Sequence, residues 1–235
     1  MRIGLLTMNS PESLPAVPVA RLNIPEIAWS LKQTQLHFKS INKSLNVRRG
    51  KLTGEAVDNM IEGYRFVDTL LAEGADPLAM GNSALLLEIN TLVLCGSDSA
   101  NRHSFSRHIE KNREYFYDNQ QGGVGSLMEW RDFHAHDNIW KKAAGLYIHI
   151  TSQPQLFFEG NHRSAILIMS FLLAREGYPP FVLTADNAKE LLDHSRQISE
   201  LKKNSVRMLI QVPRLRSQLA ETLKRSLDRR HLLAP

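Results

Sequence analysis

The sequence predicts an all-α fold, and three observations carry this prediction. Apolar residues recur at intervals of three and four, as at Val57, Met60, Ile61 and Tyr64, which is the period of a helix with one buried face. Glycine and proline punctuate these stretches. Alternation of apolar and polar residues is weak, so no strand is convincingly predicted and residues 181–184 are the one candidate for a short strand.

The boundaries of the first three helices are predicted from the residues at their ends. Four prolines lie within the first 25 residues, so we expect an extended arm there and helix from Ile27 onwards. The second helix is expected to end near Gly74, because helices commonly end at glycine. Ser83 and Gly96 are the expected caps of the third helix.

The later helices follow from the same signals. The glycine-rich residues 120–125 predict a flexible turn, and Pro154 ends a strongly helical stretch. Gly177 closes the most apolar helix of the chain. The remaining helices are predicted over 104–117, 127–132, 140–150, 164–175, 191–209 and 215–227.

Composition is that of an ordinary globular protein. Of the 235 residues, 43% are hydrophobic and 23% are charged, which excludes a disordered chain. The single cysteine, Cys95, excludes a disulfide scaffold and a cysteine-rich zinc module. The sequence has neither an apolar run of about 20 residues nor a signal-peptide core. We therefore expect a cytoplasmic protein with no membrane partner.

The expected organisation is an N-terminal arm with the first helix (1–45), a central helical domain (46–200) and a helical extension (201–235), and charge sets this extension apart. The extension holds nine basic and two acidic residues, a net charge of +7, which leaves −2 for the remainder. Residues 202–235 therefore fit either a nucleic-acid or acidic partner, or a solvated helix face. The extension has no aromatic residue, so base stacking is not expected.

The segment 153–164 carries the chemistry. It lies between two apolar helices, and the first turn of a helix offers free backbone N–H groups and a partial positive charge. Gly160 permits a sharp turn, Asn161 and Arg163 suit a phosphate, and Glu159 suits a Mg²⁺ shared with that phosphate. The alternative is a plain helix start stabilised by Ser164 and Asn161, with a Glu159–Arg163 ion pair.

This segment resembles the signature of the Fic/Doc (Fido) family, H-x-F-x-[D/E]-[G/A]-N-[G/K]-R-x-x-R. The matching positions are Phe157, Glu159, Gly160, Asn161 and Arg163. The resemblance implies a Fic/Fido-like helical domain, to which a short β-hairpin flap can be added.

The resemblance also implies Mg²⁺ and ATP as cofactors. The implied activity is transfer of AMP, or of another phosphate-linked group, to a Ser, Thr or Tyr hydroxyl of a target protein. Glu159 would hold the metal, and Gly160, Asn161 and Arg163 would contact the nucleotide phosphates.

Three positions depart from the family pattern. Gln155 stands where the family has its catalytic histidine, and an amide cannot serve as a general base near neutral pH. His162 replaces a glycine or lysine, and Ile166 replaces the second arginine. His162 is the best stand-in for the base, ahead of His149, for which a packed polar residue is the favoured interpretation.

Two further patterns occur in the sequence. The run of residues 134–137, His-Ala-His-Asp, is more typical of a loop than of a metal site. The family also has a self-inhibiting helix, [S/T]-x-x-x-E-[G/N], in which the glutamate pairs with the second arginine. Glu62 resembles that glutamate, and Glu73 also fits the short pattern.

Three hypotheses follow. The chain is a Fic-type nucleotidyltransferase or phosphotransferase with altered chemistry that uses His162 or water as base, or it is an inactive Fic fold that binds a nucleotide or a protein. The third hypothesis is a regulator that binds nucleic acid through residues 202–235. A homodimer is compatible with each of them.

Overall fold

A computed structural model describes residues 20–118 and 123–233, and its architecture confirms the all-α prediction. Helix accounts for 70% of the described residues. In the described ranges only two isolated β-bridges occur, Leu22 with Leu232 and Gln153 with Lys202. Residues 181–184 are therefore not a strand, and no β-hairpin flap forms in the described part of the chain. No helix in these ranges is long and apolar enough to cross a membrane.

Ten α-helices and one short 3₁₀-helix make up the described part. Their bounds are α1 Ile24–Ser44, α2 Gly54–Glu73, α3 Ser83–Cys95, α4 Ser99–Ser104, α5 Ser106–Tyr117, α6 Gly123–Phe133, α7 Ile139–Thr151, α8 Asn161–Arg175, α9 Ala188–Ser199, α10 Val206–Ser226, and the 3₁₀-helix Arg229–His231.

Helix α8 forms the centre of the fold. Every residue from Ser164 to Ala174 is buried, and α2, α3 and α7 pack around the helix. The contact with α2 is close because Gly63 has no side chain: a Cβ atom there would overlap Cδ1 of Leu167. The N-terminal end of α8 is thereby fixed among three neighbouring helices.

The two ends of the described chain meet. The amide of Asn23 donates to the His231 carbonyl at 2.9 Å, and the amide of Leu233 donates to the Arg21 carbonyl at 2.8 Å. Helix α10 packs against α7, and its Leu219 is fully buried. Helices α1 and α10 therefore share one hydrophobic core with the helices between them.

Several predicted boundaries are wrong. Helix α1 begins three residues early, at Ile24, because proline is well tolerated in a first helical turn. The stretch 104–117 belongs to two helices that meet at Phe105. Of the predicted turn 120–125, residues 123–125 are helical, and residues 120–122 lie outside the described residues, as does most of the N-terminal arm.

The largest error concerns the predicted helix over 191–209. Helix α9 ends at Ser199 because the following residues pair with a distant segment. The Gln153 amide donates to the Leu201 carbonyl, and the Lys203 amide donates to the Gln153 carbonyl, both at 2.7 Å. Helix α10 then continues through Pro213, where the sequence predicts a break.

Candidate functional site

The loop between α7 and α8 carries the family-like residues, and Gly160 sets its geometry. Gly160 caps α8 with a φ of 79°, a conformation that favours glycine. A Cβ atom on Gly160 would also lie 2.9 Å from Nδ2 of Asn90. Helix α8 consequently starts at Asn161 and not at the predicted Ser164.

Asn161 closes the loop onto itself. Its Oδ1 accepts from the Phe157 amide at 2.8 Å, and its Nδ2 donates to the Phe157 carbonyl at 2.7 Å. The same Nδ2 donates to Oε1 of Gln155 at 3.1 Å. Both polar atoms of this buried side chain therefore hold the loop in shape.

Gln155 is the second member of this arrangement. Its Nε2 donates to the Thr151 carbonyl at 3.1 Å, in the last turn of α7, while its Oε1 accepts from Asn161. The side chain links the end of α7 to the start of α8. At the position where the resemblance implies a base, the chain thus has a structural amide.

Two asparagines outside the loop complete the support, and the sequence interpretation missed them. Nδ2 of Asn90 in α3 donates to the Glu159 carbonyl and to Oγ of Ser164, both at 2.9 Å. Oδ1 of Asn112 in α5 accepts from the Phe158 amide at 2.7 Å, and Asn112 also donates to Asn90. For Asn90 the available signal was a polar residue inside a strongly apolar stretch, whereas Asn112 lies in a charged stretch that offers no such signal.

His162 is directed towards the protein interior. Its Nδ1 lies 3.0 Å from the hydroxyl of Tyr147, which is fully buried. Burial, and secondarily the positive charge of Arg49, lower the pKa of His162 to about 4. The imidazole is therefore neutral at pH 7, and its basicity is far below the range that suits a general base at that pH.

Arg163 supports the end of α3. Its Nη1 donates to the Val93 carbonyl at 2.7 Å, one of the carbonyls that a helix C-terminus leaves free. Burial lowers the pKa of Arg163, and the nearby carboxylates of Glu159 and Glu55 oppose that shift. The guanidinium stays charged, because the ordinary arginine pKa is far above neutrality.

The first turn of α8 offers backbone donors. The first helical amide that bonds to a backbone acceptor is that of Ser164, which donates to the Gly160 carbonyl at 3.0 Å. Among the described residues, the amides of positions 161–163 have no backbone acceptor. Together with Arg163 they form a group of donors that suits an anion.

Glu159 is exposed and directly precedes the helix cap. The described residues contain no cluster of three His, Cys, Asp or Glu side chains. A single carboxylate is nevertheless sufficient where phosphates and water supply the other ligands of Mg²⁺. The residues present therefore fit a magnesium ion that arrives with a phosphate, with Glu159 as its protein ligand.

Glu62 belongs to α2, and its carboxylate reaches the segment that follows α3. Its Oε2 accepts from the Ser97 amide at 2.5 Å. Ile166, at the position of the second family arginine, is buried in the core and offers no charge to pair with. Glu73 is exposed at the last position of α2.

Two other histidines and three arginines of the basic extension have partners of their own. His149 is buried, with Nε2 3.3 Å from Oγ of Ser126, and Nδ1 of His134 bonds to the Trp130 carbonyl. In the basic extension, three arginines are ion-paired, at 2.9, 2.9 and 2.7 Å. These pairs are Arg216–Asp137, Arg225–Glu190 and Arg230–Asp228.

Comparison with known proteins adds no assignment. No protein-family model matches the chain, and the searches of curated proteins and of solved structures also find no match. The likeness to the Fic/Doc family therefore rests on the loop residues themselves.

Proposed function

We propose that the loop 155–163 is a phosphate-binding site and that its ligand is a nucleotide carrying Mg²⁺, with ATP as the first candidate. In this proposal the protein is a Fic-like binding module that does not transfer a group by general-base catalysis. The observation that carries the proposal is the set of first-turn amides of α8 that have no backbone acceptor among the described residues, beside the Arg163 guanidinium.

Binding of a phosphate is favoured by the electrostatics at the start of α8. The helix N-terminus contributes about half a positive charge, and Arg163 adds a full one. The phosphate oxygens would accept from the amides of residues 161–163. The carboxylate of Glu159 would by itself repel a phosphate. In this proposal it holds a magnesium ion, whose positive charge offsets that repulsion.

We expect no group transfer, because neither of the two side chains at the position of a base can accept a proton from a target hydroxyl. Gln155 holds the loop through both ends of its amide, and His162 is bonded to Tyr147 inside the protein. A general base typically contributes a factor of about 10²–10⁴ to the rate. The proposal assigns no inhibitory role to Glu62, since Ile166 cannot pair with it.

Calorimetric titration of ATP, with and without Mg²⁺, tests the binding. We expect Mg²⁺-dependent binding by the wild type and its loss in Glu159→Ala, which removes the metal ligand. Glu114→Ala is the matched control, because Glu114 is exposed on α5 and should leave the affinity unchanged. Absence of binding by ATP, ADP and inorganic phosphate would overturn the proposal, as would equal affinities of Glu159→Ala and wild type.

A further inference from the structure

A cavity lies apart from the loop 155–163. It has a volume of about 400 Å³ and is bounded by α6, α7, α10 and the segment between α9 and α10. None of residues 155–163 lines it. Its size is within the range of small-molecule sites, which are typically about 300–1,000 Å³.

The wall of this cavity is aromatic. The Trp130 indole lies directly on α7, because position 145 is glycine: a Cβ atom there would be 2.6 Å from Cζ2 of Trp130. Phe133 and Leu209 stand at the cavity with 85% and 76% of their surface exposed. The indole is itself stacked on His134, with ring centroids 4.5 Å apart, so such a wall favours a flat apolar ligand that packs beside this pair of rings.

Lys203 supplies an uncompensated charge. Its Nζ donates to the Pro154 carbonyl at 2.7 Å, whereas an ammonium group has three donors. Within the described residues it forms no ion pair, and no acidic residue lines the cavity. Burial lowers the pKa of Lys203 to about 8, so the group is largely protonated at pH 7. A cation in such surroundings favours an anionic ligand.

The other polar groups at the cavity add little net charge. His149 is neutral at pH 7, because burial, and then the charges of Lys203 and His134, lower its pKa to about 3. Nη1 of Arg216 is paired with Asp137 at 2.9 Å. Of the lysines and arginines that line the cavity, Lys203 is therefore the one without an ion pair among the described residues, which matches a ligand with a single negative charge.

We infer that this cavity binds a small aromatic monoanion, of the class of aromatic carboxylates, with its ring against Trp130 and its carboxylate on the Lys203 ammonium. The inference goes beyond the proposed nucleotide site and does not depend on it. The two sites are distinguishable, because they share no lining residue.

Titration with 1-naphthoate, followed by tryptophan fluorescence, tests the inference. We expect saturable quenching that is lost in Trp130→Phe, and an affinity about tenfold higher than that for the neutral analogue 1-naphthalenemethanol. Lys203→Met should remove this preference, whereas Lys202→Met, at the exposed neighbouring position, should keep it. Glu159→Ala should bind 1-naphthoate as the wild type does.

Two results would overturn the inference. The first is that the wild type binds 1-naphthoate no better than the neutral analogue, a comparison that needs no variant to fold. The second is that Lys203→Met, with an unchanged circular dichroism spectrum, binds 1-naphthoate as tightly as Lys202→Met. If ATP does not bind, the proposed nucleotide site is wrong, but both of these tests of the cavity still apply.

Discussion

The Nδ1 atom of His162 lies 3.0 Å from the hydroxyl oxygen of Tyr147, so the loop histidine is bonded to the core of the protein. Burial holds its pKa at about 4, against an ordinary value near 6.5. The folded protein therefore resists a proton that the unfolded chain accepts. Stability should depend on pH because of this difference.

We predict that acid destabilises the protein through His162. Between pH 6.5 and pH 4 the unfolded state binds more protons, so the free energy of unfolding falls as the pH falls. The loss from this residue should reach roughly 1–3 kcal/mol by pH 4. Urea unfolding across this range measures it. His162→Asn, which keeps a hydrogen-bonding group but cannot titrate, should reduce the dependence and leave the part that buried His149 contributes.

His103→Asn is the matched control, since His103 is exposed on α4 and its loss should leave the pH dependence unchanged. Equal dependence in His162→Asn and wild type would show that His162 does not carry the effect.

Gly63 and Leu167 define the contact between α2 and α8. We predict that Gly63→Ala destabilises the protein by about 1–2 kcal/mol, because overpacking of a core costs more than the gain in helix propensity. Leu167 is fully buried, so its side chain cannot move aside freely. Thermal and urea unfolding measure the change.

Gly54→Ala is the control for this prediction. Gly54 begins the same helix, and a Cβ there meets only Nε2 of Gln35, at 3.6 Å. Its substitution should be neutral or stabilising. In addition, Gly63→Ala should cost less in a Leu167→Ala background, since the overlapping atoms are then absent. Additive effects would contradict the proposed overlap.

Asn90 and Asn112 fix the loop from outside. We predict that Asn90→Ala lowers the free energy of unfolding by roughly 2–3 kcal/mol, because it leaves the Ser164 hydroxyl, the Glu159 carbonyl and Asn112 without this partner. Hydrogen exchange at residues 157–160 should accelerate. Asn101→Ala, at an exposed position, is the control, and unchanged exchange in Asn90→Ala would contradict the assignment.

The sequence predicts the local features of this fold well and its long-range contacts poorly. The helix ends at Gly74 and Gly96 follow from their own neighbourhoods and are confirmed. Asn90 and Asn112, by contrast, bond to loop residues 69 and 46 positions away. No local spacing encodes such a contact.

The break after α9 also depends on a long-range contact, because the backbone of residue 153 forms hydrogen bonds with the backbone of residues 201 and 203. For the candidate site, the sequence identifies the loop and its glycine. The directions of its side chains depend on packing: His162 bonds to Tyr147, and Arg163 bonds to Val93.

Gln155→His tests whether the missing base is what prevents transfer. The resemblance places a histidine at this position, and an imidazole accepts a proton near neutral pH where an amide does not. We expect no label from α-³²P-ATP on lysate proteins with the wild type, and transfer of label by Gln155→His.

Gln153→His, at an exposed neighbouring position, should stay inactive, and adding Glu159→Ala to Gln155→His should abolish the label. Transfer by the wild type at the rate of Gln155→His would show that the chain already has a base. Absence of label from a Gln155→His variant that binds ATP normally would show that the loop lacks more than the base.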